Sequence, residues 1–405
     1  MGAERTEILV LGASFAGVEV VYQLLQAFDG RPPAITVVDR QTEHGYLPLV
    51  QERMCGVTDA DASRLNTRAF IESVPDATFV QDEVVSFDPE TKAVTLSSGR
   101  TITARFVVVA LGSAFDAPVG VDGSERILTY KRQDDFEAST AALAERLAAG
   151  DGVQLVVVGG GISGCELAGE LAQLRRTRPQ GWSAPEVRLV SSAPALAGSL
   201  RDRVAAKAKR ALERQGVTVD LGTRVVAVRE GQIDLVASGA RQTVSANLVF
   251  WAGGVRPAAV LAALGLPRTE AGWLAVGPTL QCFADPTMTR PDIFACGDAV
   301  RVQSGAGEWA TMQRAIECIW QAGVVVRNLR TLHELPETYP EGVPPLKPHV
   351  LRREFFYGLS LGARSMVVYR GFGLDLPGIN HGFRRWLMRQ YLARYAPLPS
   401  ARASM

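Results

Sequence analysis

Gly159, Gly161 and Gly164 stand in the order GxGxxG, directly after the apolar run VQLVVV (153–158) and directly before CELAGELAQLRRT. A strand, a tight turn and a helix in that order bind a dinucleotide pyrophosphate. The first glycine permits the turn, the second lets the phosphate reach the backbone, and the third lets helix and strand pack closely. The helix N-terminus, opened by Ile162 and Ser163, adds free N–H groups and a partial positive charge. An earlier version of the pattern, GASFAG, carries Gly12, Ser14 and Gly17 after EILVL (7–11), with Phe15 and Ala16 opening its helix. Ser14 adds a side chain where backbone should meet phosphate, so this turn needs a second feature. Asp39 supplies it. It ends AITVVD (34–39), 22 residues after Gly17, where an acid binds the two ribose hydroxyls of an adenosine.

The second half lacks that acid. Its next strand ends VRLVS, so Ser191 stands where the ribose-binding carboxylate is expected. An acid there repels a 2′-phosphate and grips a 2′-hydroxyl; a serine does neither strongly. Two outcomes stay open: NADPH accepted as well as NADH, or weak binding of either. Arg201 is a candidate for a 2′-phosphate, though it reads first as a solvated helix arginine.

The turns require elements to hold them. A helix is expected near 16–28, a buried strand over 105–112 (RFVVVALG), and a domain crossing over SAFDAPVGVDG (113–123). A further strand is expected over 186–191, and 248–254 (LVFWAGG) echoes 107–112 (VVVALG), so the two halves repeat at domain scale. A late strand over 293–298 leads to a helix over about 310–330. The remainder, 335–405, begins Pro-rich and ends basic and amphipathic.

A chain of 405 residues implies two or three domains. Hydrophobic residues at 47%, with 39 Gly, fit an α/β protein rather than a disordered one. A net charge of +1 gives no reason to expect a nucleic-acid partner. No apolar run approaches the roughly eighteen residues that span a bilayer. The start, MGAERTEILVLG, lacks a basic n-region and argues against a secretory signal, although Met1-Gly2 with Thr6 fits the short N-myristoylation pattern. Cys55, Cys165, Cys282, Cys296 and Cys318 form no CxxC or CxxxxC pair. That spacing excludes a redox disulfide built on such a pair and a zinc ribbon; no metal site is expected. Scattered thiols fit a reducing compartment.

Taken in order, six segments resemble the two-dinucleotide-domain flavoproteins, and within them the type II NADH:quinone oxidoreductases and their quinone-reducing relatives. They are GASFAG with Asp39, HGYLPLVQERMCG (44–56), VVVALGS (107–113), GGGISGCELAGEL (159–171), VFWAGGVRP (249–257) and RPDIFACGDAV (290–300). The resemblance covers about residues 5–330. It implies an α/β fold of two Rossmann-like domains, the NAD(P) domain inserted in the FAD domain, plus a small C-terminal α+β region. The expected boundaries are 1–115 and 255–332 for FAD, 116–254 for NAD(P), and 333–405 for the C-terminal region.

By the same resemblance FAD lies on Gly12, Ser14 and Gly17, with Asp39 on its ribose, Arg40 beside the adenine and the Val84 backbone against it. Asp298, after Gly297, would bind the ribitol; a Gly-Asp after a buried strand also presents a carboxylate where open α/β sheets bind ligands, and an N-cap role is compatible. Pro48, Ala110, Gly112 and Gly253, within the matching segments, join the cofactor-lining set. Glu166 matches a glutamate near the nicotinamide–flavin contact, while Glu170 reads as structural. The family's Ala-Gln-x-Ala-x-Gln pattern, near flavin and quinone, is kept at Gln313 and Ala315. Met312 and Glu317 replace its first alanine and second glutamine. Gln313 and Glu317 would face the acceptor, with Glu317 placed to hand a proton to quinone. The implied reaction passes a hydride from NAD(P)H to FAD, then two electrons to a quinone-like acceptor. Two rival readings are a soluble FAD-dependent oxidoreductase for a specific metabolite and a slow-turnover flavin-binding sensor. The missing CxxxxC pair argues against the disulfide-reductase branch, and Cys165 reads as a small buried residue.

In FRRWLMRQYLARY (383–395), Phe383, Trp386, Leu387, Tyr391 and Tyr395 are expected near one helical face. Arg384, Arg385, Arg389 and Arg394 would lie opposite or snorkel. Two uses of that face stay open: a membrane surface, or packing on the protein's own core or in a homodimer. The expected location is the cytoplasm, with peripheral contact on the inner face of a membrane as the alternative. Residues 357–378 suggest two short strands or a hairpin.

Overall fold

The computed structural model describes residues 4–115, 120–149, 152–177, 184–198, 202–285, 288–304, 307–309, 313–335, 345–352 and 356–399. Gly2, Arg201 and Met312, singled out above, lie outside the described residues.

Glu4–Leu11 is the middle one of five parallel strands in the first, eleven-stranded sheet, with Ile8, Leu9, Val10 and Leu11 all fully buried. A continuous apolar run is what a strand covered on both faces demands. It pairs in parallel with Thr101–Val109 on one side and Ile35–Asp39 on the other. Ala77–Gln81 adds beyond Ile35–Asp39, and Met288–Ala295 adds beyond Thr101–Val109. Leu11 lies opposite both Val38 and Val109, and Val109 opposite Ala295, so the carboxyl ends of these strands share one edge. Ligands bind at that edge in open α/β sheets. The helices α1 (Phe15–Ala27), α2 (Val50–Met54) and α3 (Thr67–Ser73) follow from the first half.

The second sheet is parallel, in the order Ile127–Leu128, Leu248–Trp251, Gln154–Val158, Glu186–Val190 and Thr218–Asp220. It carries α4 (Gln133–Ala148), α5 (Ile162–Thr177) and α6 (Asp202–Glu213). Residues 223–245 append a three-stranded antiparallel sheet. Ser113–Ala114 and Arg256–Pro257 pair side by side where the chain passes between the two parallel sheets.

Three expectations need correction. The helix expected over 310–330 is α7 (Ala315–His333), and Gln313 stands before it. Gln313 has a φ of 46°, a left-handed conformation that no α-helix contains. Residues 357–378 hold three strands rather than two: Tyr357–Leu361, Arg364–Tyr369 and Phe372–Asp375. Their turns are two-residue loops at Gly362-Ala363 and Arg370-Gly371. Arg370 takes φ 47° and Gly371 77°, the positive pair that a tight hairpin favours. An arginine there conceals the second turn from the sequence.

The third correction concerns α8 (Pro377–Arg394), which Pro377 starts at a position that needs no N–H. Its inward face is Arg384, Met388, Tyr391 and, just past its end, Tyr395. Phe383, Trp386 and Leu387 point outward, at 43%, 52% and 38% exposure. The expected aromatic face is therefore split. Arg384 turns inward because buried carboxylates receive it, and the tyrosines turn with it. Tyr395 donates to Glu19 of α1, Arg394 pairs with the same Glu19 at 2.6 Å, and Tyr391 packs on Phe15.

Candidate functional site

Both glycine turns are fixed by backbone crowding. A Cβ on Gly12 would lie 2.4 Å from the Ala110 carbonyl oxygen, and one on Gly17 would lie 1.8 Å from that of Gly12. Gly12 also sits at φ 100°. Ser14 is the N-cap of α1, yet its hydroxyl caps no N–H of the helix. The first turn of α1, Phe15, Ala16 and Gly17, is therefore left for an outside acceptor such as a phosphate. Asp39 accepts from the Ala13 N–H at 2.6 Å and the Gln41 N–H at 2.8 Å. Burial pushes its carboxyl above the ordinary range despite those bonds. Arg40 is largely exposed and pairs with Glu83 at 3.4 Å; Val84 is buried beside it in sequence. Arg40, Gln41, Gln81 and Arg132 help line a cleft of about 380 Å³ at this end.

The second turn repeats the geometry. A Cβ on Gly159 would meet the Ala252 carbonyl at 2.4 Å, and one on Gly164 would meet the Gly159 oxygen at 1.8 Å. Gly161 faces open space, as a phosphate-contacting backbone should. Ile162 and Ser163 open α5 beside it. Ser191 is buried and accepts from the Ala193 N–H at 3.2 Å. A Cβ on Gly160 would meet its Oγ at 2.4 Å. Ser191 thus stands to Gly160 as Asp39 stands to Ala13. Gly112, at φ 70°, also faces open space, and a Cβ on Gly253 would strike the Trp251 ring at 2.4 Å. This cradle of open backbone and crowded glycines fits a dinucleotide in each half.

Asp298 lies at the carboxyl edge of the first sheet, just past Met288–Ala295. Its Oδ2 accepts from Lys131 Nζ and Ser113 Oγ, both at 2.9 Å. Burial acts to raise its carboxyl, but the Lys131 ammonium together with the hydrogen bonds from Lys131, Ser113 and Cys318 holds it below the usual range. Gly297 donates its N–H to Gln321 at 2.7 Å. Lys131 arrives from the second sheet, just after Ile127–Leu128, and sequence reasoning missed it. Its only local signal is its place after a short strand.

The three expected catalytic residues take different surroundings. Gln313, with its amide oxygen toward Arg301, accepts from that guanidinium at 3.2 and 3.3 Å. Glu317 is buried; its Oε1 contacts His349 Nε2 at 2.5 Å and Gln321 Nε2 at 3.2 Å. His349, also missed, comes from the segment after α7. Glu166 is buried, receives the Ser360 N–H at 3.1 Å and pairs with Arg384 Nη1. Burial raises its carboxyl against the pull of Arg384. Arg384 also donates to the Pro48 carbonyl at 2.7 Å, so one guanidinium ties the Pro48 segment to the helix behind the second turn.

The surroundings of the thiols disfavour the thiolate. Burial pushes both Cys165 and Cys296 up to about 12, and all five cysteines are unpaired. Nucleophilic thiol chemistry needs the opposite shift.

Residues 6–322 match the pyridine nucleotide-disulphide oxidoreductase family. The chain belongs to that family of flavoproteins, whose FAD and pyridine nucleotide the two turns fit. Among characterised relatives, the type II NADH:quinone oxidoreductase of Staphylococcus saprophyticus is 26% identical over 269 residues, and that of Staphylococcus aureus 26% over 272. Each match covers 63% of this chain and 66% of the relative, so the chain spans just under two thirds of the relatives' length. Among solved structures, NDH2 from Plasmodium falciparum in complex with NADH superposes with a TM-score of 0.81 at 13% identity, covering 96% of each chain. The sulfide:quinone oxidoreductase of Aquifex aeolicus gives 0.78 at 15% identity, covering 98% of this chain and 93% of its own. These likenesses establish the fold, two dinucleotide-binding units in one chain.

Proposed function

We propose that this protein oxidises NAD(P)H through FAD and passes the electrons to a quinone-class acceptor. The observation that carries the reading is the pair of dinucleotide turns in one chain, joined by Lys131 reaching from the second sheet to Asp298 of the first. The names of the relatives support the acceptor, and the buried, unpaired thiols favour it over disulfide chemistry. In this reading residues 1–115 and 255–332 hold FAD, 116–254 hold NAD(P)H, and 333–405 close the site. FAD, when bound, supplies hydride acceptance and electron release.

The chain's own residues bind and orient. The N-terminus of α1 faces the FAD pyrophosphate, and Asp39 takes its ribose, with Arg40 and Val84 at the adenine. Asp298, fixed by Lys131, takes the ribitol. Pro48, Ala110, Gly112 and Gly253 line the space between the units. Gly159, Gly161 and Gly164 seat the pyrophosphate of NAD(P)H, with Ser191 at its ribose. Glu166, clamped by Arg384, faces the nicotinamide side. Glu317 acts as a positioning residue, since it holds Gln321, which holds the Gly297 N–H beside Asp298. Gln313 lies nearest the acceptor.

The outward residues of α8, with exposed Phe372, Leu374 and Ile379, support peripheral contact with the inner face of a membrane. Among the described residues no helix is long and apolar enough to cross one. The test of the acceptor is anaerobic: protein reduced by NADH is mixed with a water-soluble quinone. Rapid return of the oxidised flavin spectrum is expected. Reduced flavin that persists in excess quinone would refute the acceptor.

A further inference from the structure

Three carboxylates cluster in the interior behind the second turn: Glu52 on α2, with Glu166 and Glu170 one turn apart on α5. Their exposures are 0%, 6% and 1%. Among the described residues, Arg384 is the one buried cation paired with them. Glu166 takes its Nη1 and the Ser360 N–H. Glu52 takes the Thr58 hydroxyl at 3.1 Å and faces Arg384 Nε at 3.4 Å and the half-exposed Arg385 at 3.9 Å. Among the described residues, Glu170 takes the Ser360 hydroxyl alone, at 2.7 Å. Its second oxygen is buried without a hydrogen-bond partner, as is Oε1 of Glu52.

Other groups add little charge. Burial raises the Cys55 thiol and the Tyr130 phenol, keeping both neutral. Arg314 lies over the Tyr357 ring and acts on Glu166 from a distance. His381 of α8 lies 4.0 Å from Glu52, and burial lowers its pKa, favouring the neutral ring. Three carboxylates therefore outnumber the buried positive charge, and an interior relieves such an excess by taking up a proton. Glu170 has the fewest partners, and burial pushes its carboxyl up to about 7.

The quinone reading requires such a proton. NAD(P)H and quinone become NAD(P)⁺ and quinol; the hydride brings one hydrogen nucleus with two electrons, and the second proton must come from solvent. We propose that Glu170 is the proton-holding residue for this step, filled from solvent past His381 and Glu52 and emptied toward the acceptor by way of the Glu166 carboxylate one turn away. The proposal rests on the quinone reading. An O–H bond of Glu170 breaks, an O–H bond of the quinol forms, and solvent restores the carboxyl. His381, with 23% of its side chain exposed, marks the entry.

The test uses flavin-loaded protein and Glu170→Gln, which keeps the volume and an acceptor for Ser360 but has no proton to give. Infrared titration is expected to show a protonated carboxylic acid that ionises near neutrality and is absent from the variant. An identical titration in the variant overturns the proposal. Reduced protein is then mixed with a water-soluble quinone between about pH 6 and pH 9. The wild-type rate should fall about tenfold per pH unit above the inflection; the variant should be at least tenfold slower at the low end, without the inflection. A variant with the wild-type profile overturns the proposal. A wild-type protein that shows the titration but is never reoxidised by quinone overturns the quinone reading instead. Glu170→Asp should restore the inflection, which a merely structural role would not require.

Discussion

The two glycine turns share a backbone and differ in charge. In the first, Asp39 places a carboxylate against Ala13 and Gln41, and Ser14 caps α1 without a side-chain hydrogen bond to it. In the second, Ser191 places a neutral hydroxyl against Gly160 and Ala193, and Gly161 leaves the approach open. On the proposed function, the first would hold its ligand's ribose through that carboxylate. On the proposed function, the second would meet its ligand's ribose with a hydroxyl in place of a carboxylate. Crowding at the outer glycines sets the shape of both turns, and the residue at the end of the next strand sets the charge beside each.

The comparison breaks most sharply at the third glycines. Gly17→Ala and Gly164→Ala each force a methyl to 1.8 Å from a carbonyl oxygen, an overpacking that costs about 1–3 kcal/mol or more. Gly17→Ala should lose FAD, read as the flavin-to-protein ratio. Gly164→Ala should keep FAD and lose at least tenfold in reduction by NADH. If Gly164→Ala lost FAD as well, the two turns would not be independent sites.

Next is the tie between the halves. Arg384→Ala leaves Glu166 and Glu52 buried without their cation, which should cost about 3–5 kcal/mol. Urea unfolding measures this, and a loss under about 1 kcal/mol would show the pair to be solvated.

A smaller effect is expected at Ser191. Ser191→Asp restores the charge of the first turn and should shift preference toward NADH over NADPH by about tenfold, near 1.4 kcal/mol. Comparison of kcat/KM for the two nucleotides tests it; an unchanged ratio would mean that Ser191 does not meet the ribose.

The smallest effect lies at Asp298. Its carboxyl is lowered in the fold, so the stability it lends is present above the unfolded value of about 3.9 and is lost as pH falls through the folded one. Lys131→Met removes the ammonium responsible and should move the acid limb of the melting curve to higher pH. Thermal melts between about pH 3 and pH 6 report the shift.

The sequence made the turns legible because their chemistry is local. Glycines, apolar runs and Asp39 sit within a few dozen residues of one another, and the parallel sheets follow from them. The contacts that complete the site are not local. Lys131 meets Asp298 across 167 positions, and Arg384 meets Glu166 across 218. A charged residue on an amphipathic helix is read as lying opposite its aromatic face, so the sequence groups Phe383, Trp386 and Leu387 with Tyr391 and Tyr395, where α8 parts them. Its arginine is buried because carboxylates from two other helices wait for it. Glu170, read as a structural helix residue, gains its interest only from neighbours on α2, α8 and the strand Tyr357–Leu361.

The central claim is that the second turn delivers a hydride to flavin held by the first. Anaerobic mixing of the flavin-loaded protein with NADH, and separately with NADPH, tests it directly. The account predicts rapid bleaching of the flavin by both nucleotides, with rates within about tenfold of each other because no carboxylate at Ser191 excludes the 2′-phosphate. Flavin that stays bound and oxidised with either nucleotide would contradict it.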